Sequence, residues 1–96
     1  MDINTIITDI SDLFNVSKSE IFSSTRKRIV ADARASICYI LHRKLKMSST
    51  DVGKRLGLSH ATVLHACKNC DVWIDDSRVN PMGTEIINTI CEKYGL

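Results

Sequence analysis

The 96-residue sequence lacks the features that mark several large classes of protein. No apolar run approaches the roughly 18 residues that a membrane span needs, and the first residues lack the basic-then-apolar pattern of a signal peptide. The four cysteines are too few, and too ordinarily placed, for a disulfide-linked secreted scaffold, so we expect reduced thiols. These absences predict a soluble cytoplasmic protein with no membrane partner.

Glycine is scarce, and its four positions form no phosphate-binding loop. A Walker loop needs GxxxxGK[ST], and a dinucleotide-binding turn needs GxGxxG; neither pattern occurs. The segment 57–61 has the start of a nucleophile elbow but lacks the second glycine and lies between predicted helices rather than after a strand. We therefore expect a protein that is not an enzyme and binds no cofactor.

A metal site is also disfavoured, although His60, His65, Cys67 and Cys70 lie within eleven residues. On one helix the two histidines would be about 140° apart, whereas a zinc pair prefers the i, i+4 spacing. Cys67 and Cys70 share a face, but a lone CxxC inside an apolar stripe is more often a pair of small buried side chains. We expect core cysteines and no metal.

The pattern of apolar residues predicts an all-α domain. With 44% hydrophobic and 25% charged residues, a chain of this length can fold around one core, and no segment alternates with the period of a strand. The single domain is expected to span 1–96. Five to six helices are predicted, at 3–14, at 17–22 with a capping box from Ser17 to Glu20, from a cap at Ser24 or Thr25 to about residue 46, at about 48–57, at 60–73, and from Pro81 to Gly95. The buried stripe of the long helix is predicted to be Ile29, Val30, Ala33, Ile37, Ile40 and Leu41.

Residues 48–73 have the organisation of a helix-turn-helix. A second capping box, from Ser48 to Asp51, opens a helix of about two turns that ends at Gly57, a residue able to take positive φ. After a two-residue turn, Ser59 can cap the longer second helix. A short helix, a tight glycine turn and a longer helix are typical of this DNA-binding motif.

Positive charge is concentrated in the same part of the chain. Residues 24–68 carry ten basic and two acidic side chains, whereas the two flanking segments each have a net charge of −3. A basic middle between acidic ends suits a polyanion, although a solvated helix surface would show the same pattern.

Double-stranded DNA is the partner that explains most of these residues together. The second helix of the motif lies in the major groove, and its first residues reach base edges. The first helix offers its N-terminus to a phosphate, and basic residues at the start of the long helix can act as an arm that enters the minor groove or binds phosphates. The predicted contacts are Ser59, His60, Ala61 and Thr62 at base edges, Ser49 and Thr50 at a phosphate, Arg26, Lys27 and Arg28 in the arm, and Lys68 as a further phosphate anchor.

Residues 25–70 resemble the C-terminal DNA-binding domain of the bacterial replication initiator DnaA, a helical domain related in fold to the Trp repressor. The most specific part is Val52-Gly53-x-x-Leu56-Gly57 followed by His60-Ala61-Thr62-Val63-Leu64-His65-Ala66. The resemblance implies binding to a short initiator-type box in duplex DNA. It implies a minor-groove role for Arg26, a phosphate contact for Arg34, and major-groove reading by residues 60–62.

The sequence departs from the family pattern at the reading edge. The chain is one residue shorter between Gly57 and His60, has Leu58 and Ser59 where the family has Arg and Asp, and has Ala61 in place of the first threonine. We expect these changes to alter the preferred bases. The alternative is a protein-interaction module that kept the fold and binds a replication or transcription protein through its acidic ends. The preferred DNA site and the oligomeric state are left open.

Overall fold

A computed structural model describes residues 2–96, and these residues form helices without any strand. The predicted all-α class is therefore confirmed. None of the described helices is both long enough and apolar enough to pass through a bilayer. The helices are α1 (Ile3–Phe14), α2 (Lys18–Ile21), α3 (Arg28–Tyr39), α4 (Ser49–Leu56), α5 (His60–Asp75) and α6 (Pro81–Tyr94), and α3 continues into a π-helical turn at Ile40–Lys44.

Helix α3 is the centre of the fold, because it packs against α1, α2, α5 and α6. Its buried side chains join those of the surrounding helices in one apolar cluster. Burial of the aliphatic side chains in this cluster is the main force that holds the helices together. The fully buried members include Ile6, Ile7, Ile10, Ile21, Val30, Ile37, Ile40, Leu41, Val52, Val63, Ile87 and Ile90.

The buried stripe predicted for the long helix is correct except at one position. Val30 and the four later members of the stripe are buried, but Ile29 keeps 36% of its surface exposed. Ile29 lies about 100° around the helix from Val30 and therefore falls outside the side of α3 that the other helices cover.

The predicted start of the long helix is wrong. Helix α3 begins at Arg28, and neither Ser24 nor Thr25 caps it, because the chain between Phe22 and Lys27 is not helical. Two local hydrogen bonds hold this segment: Thr25 N donates to Ser23 Oγ at 3.2 Å, and Lys27 N donates to Thr25 Oγ1 at 3.4 Å. The hydroxyl of Thr25 therefore stabilises the turn before the helix and not the helix itself.

The long helix also ends earlier than predicted, through a change in its hydrogen bonding. Leu45 N donates to the carbonyl of Ile40 at 3.0 Å, which is the wider i to i+5 pattern of a π turn. Lys46 then adopts a left-handed conformation with φ of 63°, and His42 Nδ1 donates to the Met47 carbonyl at 2.7 Å. These features reverse the chain and direct it into α4.

Local capping signals placed most of the other helix ends correctly. The capping box of α2 is complete, with Ser17 Oγ accepting from Glu20 N and Glu20 Oε1 accepting from Ser17 N. The second predicted box is only half formed: Ser48 Oγ accepts from Asp51 N at 3.0 Å, but among the described residues no return bond joins the Asp51 side chain to the Ser48 amide. One bond is enough to start α4 at the expected position.

The end of the chain follows its prediction closely. Asn80 Oδ1 accepts from Gly83 N at 3.0 Å, Pro81 occupies the first helical position, and Gly95 ends α6 with φ of 67°.

Helix α5 runs two residues further than predicted, to Asp75. Cys38, Cys67 and Cys70 lie in the core as free thiols, whereas Cys91 is partly buried at its edge.

Candidate nucleic-acid interface

A tight turn between α4 and α5 sets the geometry of the helix-turn-helix. Gly57 takes the left-handed conformation with φ of 72°, and Leu58 N donates to the carbonyl of Gly53 at 2.8 Å. A Cβ atom on Gly53 would collide with the Leu58 carbonyl oxygen. The glycine at 53 therefore allows α4 to lie directly against the turn, a role that the sequence pattern alone did not reveal.

The first turn of α5 is the predicted reading edge, and the structure presents it to solvent. The side chains of His60, Ala61 and Thr62 are exposed. Ser59 caps the helix by accepting from Thr62 N at 3.1 Å, and its Oγ also lies 2.9 Å from Thr62 Oγ1. The cap fixes the Thr62 hydroxyl while leaving it lone pairs for a base edge.

The N-terminus of α4 offers a second set of donors. Ser48 satisfies the amide of Asp51, and the amides of Ser49 and Thr50 have no acceptor among the described residues. Ser49 is half-buried and Thr50 is exposed. Free amides at a helix start favour an anion such as a phosphate.

The predicted arm is exposed, and its last residue, Arg28, is the first residue of α3. Arg26, Lys27 and Arg28 all present their side chains to solvent. Arg28 Nε lies 3.3 Å from Asp32 Oδ1, but the Arg28 side chain is 82% exposed, so this ion pair is weak and leaves the cation available to another anion.

One groove joins the arm to the reading edge. It has a volume of about 510 Å³, and its walls come from the segment before α3, from the Gly57 turn and from the first turn of α5. Arg26 and Thr62, predicted from separate motifs, both line it. Its full lining is Phe22, Ser23, Ser24, Thr25, Arg26, Ala31, Arg34, Gly57, Leu58 and Thr62.

Several of these lining residues were not predicted as site residues. Phe22 was assigned to the end of the second helix and Ser24 to a helix cap, and Ser23 lay between them; the groove wall that they form exists because the chain there is not helical. The one available signal was Phe22, an aromatic residue that stays half exposed. Leu58 brings an apolar side chain to the groove where the family pattern has arginine.

Arg34 makes the most extensive polar contacts of any predicted site residue. Its guanidinium donates to four backbone carbonyls between residues 20 and 25. A guanidinium has five N–H donors, so one N–H on Nη1 is left for any other partner. The phosphate contact that the family resemblance implied for Arg34 stays a prediction and would have to use that remaining donor.

The other predicted residues lie outside the lining of the groove. Ser59, His60 and Ala61 lie next to it at the start of α5, whereas Ser49 and Thr50 begin α4 and Lys68 is exposed farther along α5. The structure thus brings Arg26, Arg34 and Thr62 into one groove.

Part of the basic charge counted along the sequence is used within the fold. Arg43 Nη2 forms an ion pair with Asp71 at 2.7 Å, and Arg55 Nη2 donates to Asn4 Oδ1 at 2.7 Å. Lys44 Nζ lies 5.9 Å from the centre of the Tyr39 ring. Residues committed to such contacts contribute less to an external polyanion site than the charge total indicates.

The histidine and cysteine cluster does not converge in space. In residues 2–96 no group of three or more His, Cys, Asp or Glu side chains is placed to hold a metal ion. Cys67 and Cys70 are instead part of the buried face of α5.

Comparison with known proteins agrees with the helix-turn-helix that the structure shows. The family described as "Bacterial dnaA protein helix-turn-helix" matches residues 3–70, which run from the start of α1 into α5 and include both faces of the groove. The chain belongs to this family. The resemblance inferred from the sequence is thereby confirmed.

Individual members of the DnaA family align over nearly the whole chain. The chromosomal replication initiator protein DnaA of Lachnoclostridium phytofermentans is 34% identical over 92% of this chain, and that of Ureaplasma parvum is 36% identical over 93%. The Bacteroides fragilis protein is 39% identical over 95%. The chain spans 19% of the length of each of these relatives.

Proposed function

We propose that this chain is a single DnaA-type domain that binds double-stranded DNA in a sequence-specific manner, with no ATPase activity of its own. It would act in replication-initiation control or in transcription regulation. The observation that carries the proposal is the groove shared by Arg26 and Thr62, because it places a basic arm beside the first turn of a recognition helix.

The two sides of the groove suit adjacent parts of a duplex. In a helix-turn-helix complex the start of the second helix enters the major groove, and here that position is held by His60, Ala61 and Thr62. An arginine on a non-helical segment such as the one that carries Arg26 can enter the neighbouring minor groove, whose negative potential attracts it. The exposed amides at the start of α4 would hold a phosphate and fix the orientation of the domain.

The reading edge differs chemically from the family pattern. Leu58 and the methyl group of Ala61 can contact a thymine methyl, and Ser59 is occupied as a helix cap. No arginine is present at positions 58–61, so the usual bidentate contact to guanine is missing from this edge. We therefore propose a preferred site that differs from the usual initiator box.

A selection experiment tests this function. The purified chain would be incubated with a randomised duplex pool at physiological ionic strength, and the bound fraction would be amplified and sequenced over several rounds. Enrichment of one motif supports sequence-specific binding, and similarity of that motif to an initiator box would favour a role in replication. An unrelated motif would favour a regulator with altered reading residues.

Salt dependence separates DNA binding from the alternative of protein docking. About six phosphate contacts would give a log–log slope of affinity against salt near −5. No enrichment, together with no binding at low salt, would contradict the proposal and favour a domain that binds a replication or transcription protein instead. The Arg26→Ala variant is compared with the wild type in the same titrations. It removes one proposed arm contact to DNA and leaves the helix-turn-helix intact.

A further inference from the structure

We infer that Arg34 is a positioning residue: it holds the non-helical segment 22–27, which leads into the arm, in the path that places Arg26 on the groove. This inference rests on the proposed function, because it explains how one side of the proposed DNA site is built. It assigns to Arg34 a role within the protein and not a contact to phosphate.

The guanidinium makes four hydrogen bonds to the end of α2 and to the segment that leads into the arm. Arg34 Nε donates to the Ile21 carbonyl at 2.7 Å, and Nη1 donates to the Thr25 carbonyl at 2.7 Å. Nη2 donates to the carbonyls of Glu20 at 2.9 Å and Ser23 at 2.7 Å. The four acceptors span the end of α2 and the turn that follows it, so one side chain sets the path of this whole segment.

Three of these carbonyls, those of Ile21, Ser23 and Thr25, need a donor because the segment after α2 is not a regular helix, whereas the Glu20 carbonyl also accepts from Ser23 N. Phe22 and the residues up to Lys27 leave the helical ladder, and carbonyls that lose their ladder partner must bind water or a side chain. Arg34 supplies the donors from α3, the central helix of the fold. The arm is therefore fixed to the most extensively packed element of the protein.

The planar shape of the guanidinium is essential to this arrangement. Its N–H groups point outward in a rigid plane and can reach acceptors on several sides at once. A lysine would keep the positive charge but has three donors on one nitrogen and cannot reach the same four carbonyls together. Arg34→Lys consequently separates the effect of charge from the effect of geometry.

Hydrogen exchange in the free protein tests the inference without any DNA. In Arg34→Lys we expect the hydrogen-bonded amides of the segment 22–27, those of Phe22, Ser23, Thr25 and Lys27, to exchange at least about tenfold faster than in the wild type, because the local opening of this segment becomes easier. The amides of α5 should be unchanged. Unchanged exchange in the arm would overturn the inference, and it would do so even if the proposed DNA binding were correct.

A double-mutant cycle with DNA tests how Arg34 acts on binding. If Arg34 works through the arm, Arg34→Lys and Arg26→Ala should each weaken binding about tenfold, and the double variant should lose little more than either one. Losses that multiply in the double variant would overturn the inference. Lys68→Gln is the matched control, because an independent phosphate contact should multiply with Arg26→Ala and lower the salt slope by about one.

A direct phosphate contact predicts a different pattern. Arg34→Lys would then bind nearly as well as the wild type, and Arg34→Gln would lower the salt slope by about one. That result would overturn the positioning role. Failure of the wild type to bind any duplex would refute the proposed function, whereas the exchange result would still decide whether Arg34 orders the arm.

The wild-type protein provides a measurement that does not depend on a folded variant. The Nε–H of Arg34 donates to a protein carbonyl, so we expect its NMR signal to be observable and to exchange slowly with water. Persistence of that signal and of its coupling to the Ile21 carbonyl after DNA is added supports positioning. Loss of the coupling on binding, as the side chain turns to a phosphate, would overturn it.

Discussion

Lys93 Nζ lies 2.8 Å from Asp9 Oδ2, and this ion pair joins the last helix of the fold to the first. Tyr94 donates a second hydrogen bond to the same carboxylate. The hydrogen bond from Lys93, followed by that from Tyr94, lowers the pKa of Asp9 below its ordinary value. The contact between α1 and α6 is thus sensitive to acid.

The pH dependence of stability follows from the direction of this shift. Because the pKa of Asp9 is lower in the folded state, its contribution is present above the unfolded pKa of about 3.9 and is lost as the pH falls through the folded value. In urea unfolding between pH 7 and pH 2.5, we expect the wild type to lose more stability than Asp9→Asn. Lys93→Met should reduce the loss by a smaller amount, because Tyr94 still donates to the Asp9 carboxylate, and equal acid sensitivity in all three proteins would contradict this assignment.

Removing the cap of the recognition helix should lower stability. Ser59→Ala deletes the acceptor of the Thr62 amide and should decrease the free energy of unfolding by about 1 kcal/mol, whereas Ser59→Asn should retain most of it. Chemical denaturation of the three proteins measures the difference. If alanine and asparagine were equally destabilising, the capping bond would not be the cause.

Gly53→Ala should destabilise the motif, because the added methyl group would meet the Leu58 carbonyl oxygen and force α4 away from the turn. We expect a loss of about 1–3 kcal/mol in the free energy of unfolding, the range usual for overpacking. Asn88→Ala, at an exposed position of α6, is the control and should change stability by less than about 0.5 kcal/mol. A neutral effect of Gly53→Ala would show that the turn can relax.

Alanine at Thr62 should weaken binding selectively. If the exposed hydroxyl reads a base edge, Thr62→Ala should cost about 1–3 kcal/mol on the selected sequence and little on random DNA. Lys68→Ala should weaken binding to both sequences similarly. Fluorescence anisotropy with the two duplexes measures each variant, and an equal loss for Thr62→Ala on both would remove its reading role.

Thiol labelling should divide the cysteines into two classes. Burial raises the pKa of Cys38 to about 12 and raises that of Cys70 further, so both stay protonated and shielded in the folded chain. Cys91 is the only one of the four that keeps partial exposure. Partial burial also raises the pKa of Cys91, but its exposed surface should let a thiol reagent label it before the other three, which should react only on unfolding. Cys91→Ser should abolish the first labelling phase, and labelling of a second thiol in that phase would contradict this.

Much of the fold was predictable because its signals are local. Ser17, Ser48 and Ser59 each satisfy an amide three residues away, and Gly57 and Gly95 accept a left-handed backbone, so the helix ends at these positions depend on neighbouring residues alone. The spacing of apolar residues along the sequence likewise identified which side of most helices is buried. Family membership could also be inferred, because its signature lies in one continuous stretch.

The groove could not be predicted in this way. Ser24 and Thr25 are good capping residues, and by local criteria the long helix should begin there. In the structure, however, the Arg34 side chain extends from α3 and binds the carbonyls of Ser23 and Thr25, and the chain there is not helical. Ile29 is exposed for a related reason, since the packing of the other helices against α3 decides which residues of its first turn are covered.

The all-α class, the positions of the capped helix ends and the helix-turn-helix all follow from the amino-acid sequence, because each depends on hydrogen bonds and apolar spacing within a few residues. The tertiary structure alone decided that Arg26 and Thr62 share a groove and that the guanidinium of Arg34 faces inward. Those relationships join residues far apart in the chain, and they exist only once α2, α3 and α5 have packed around the same core.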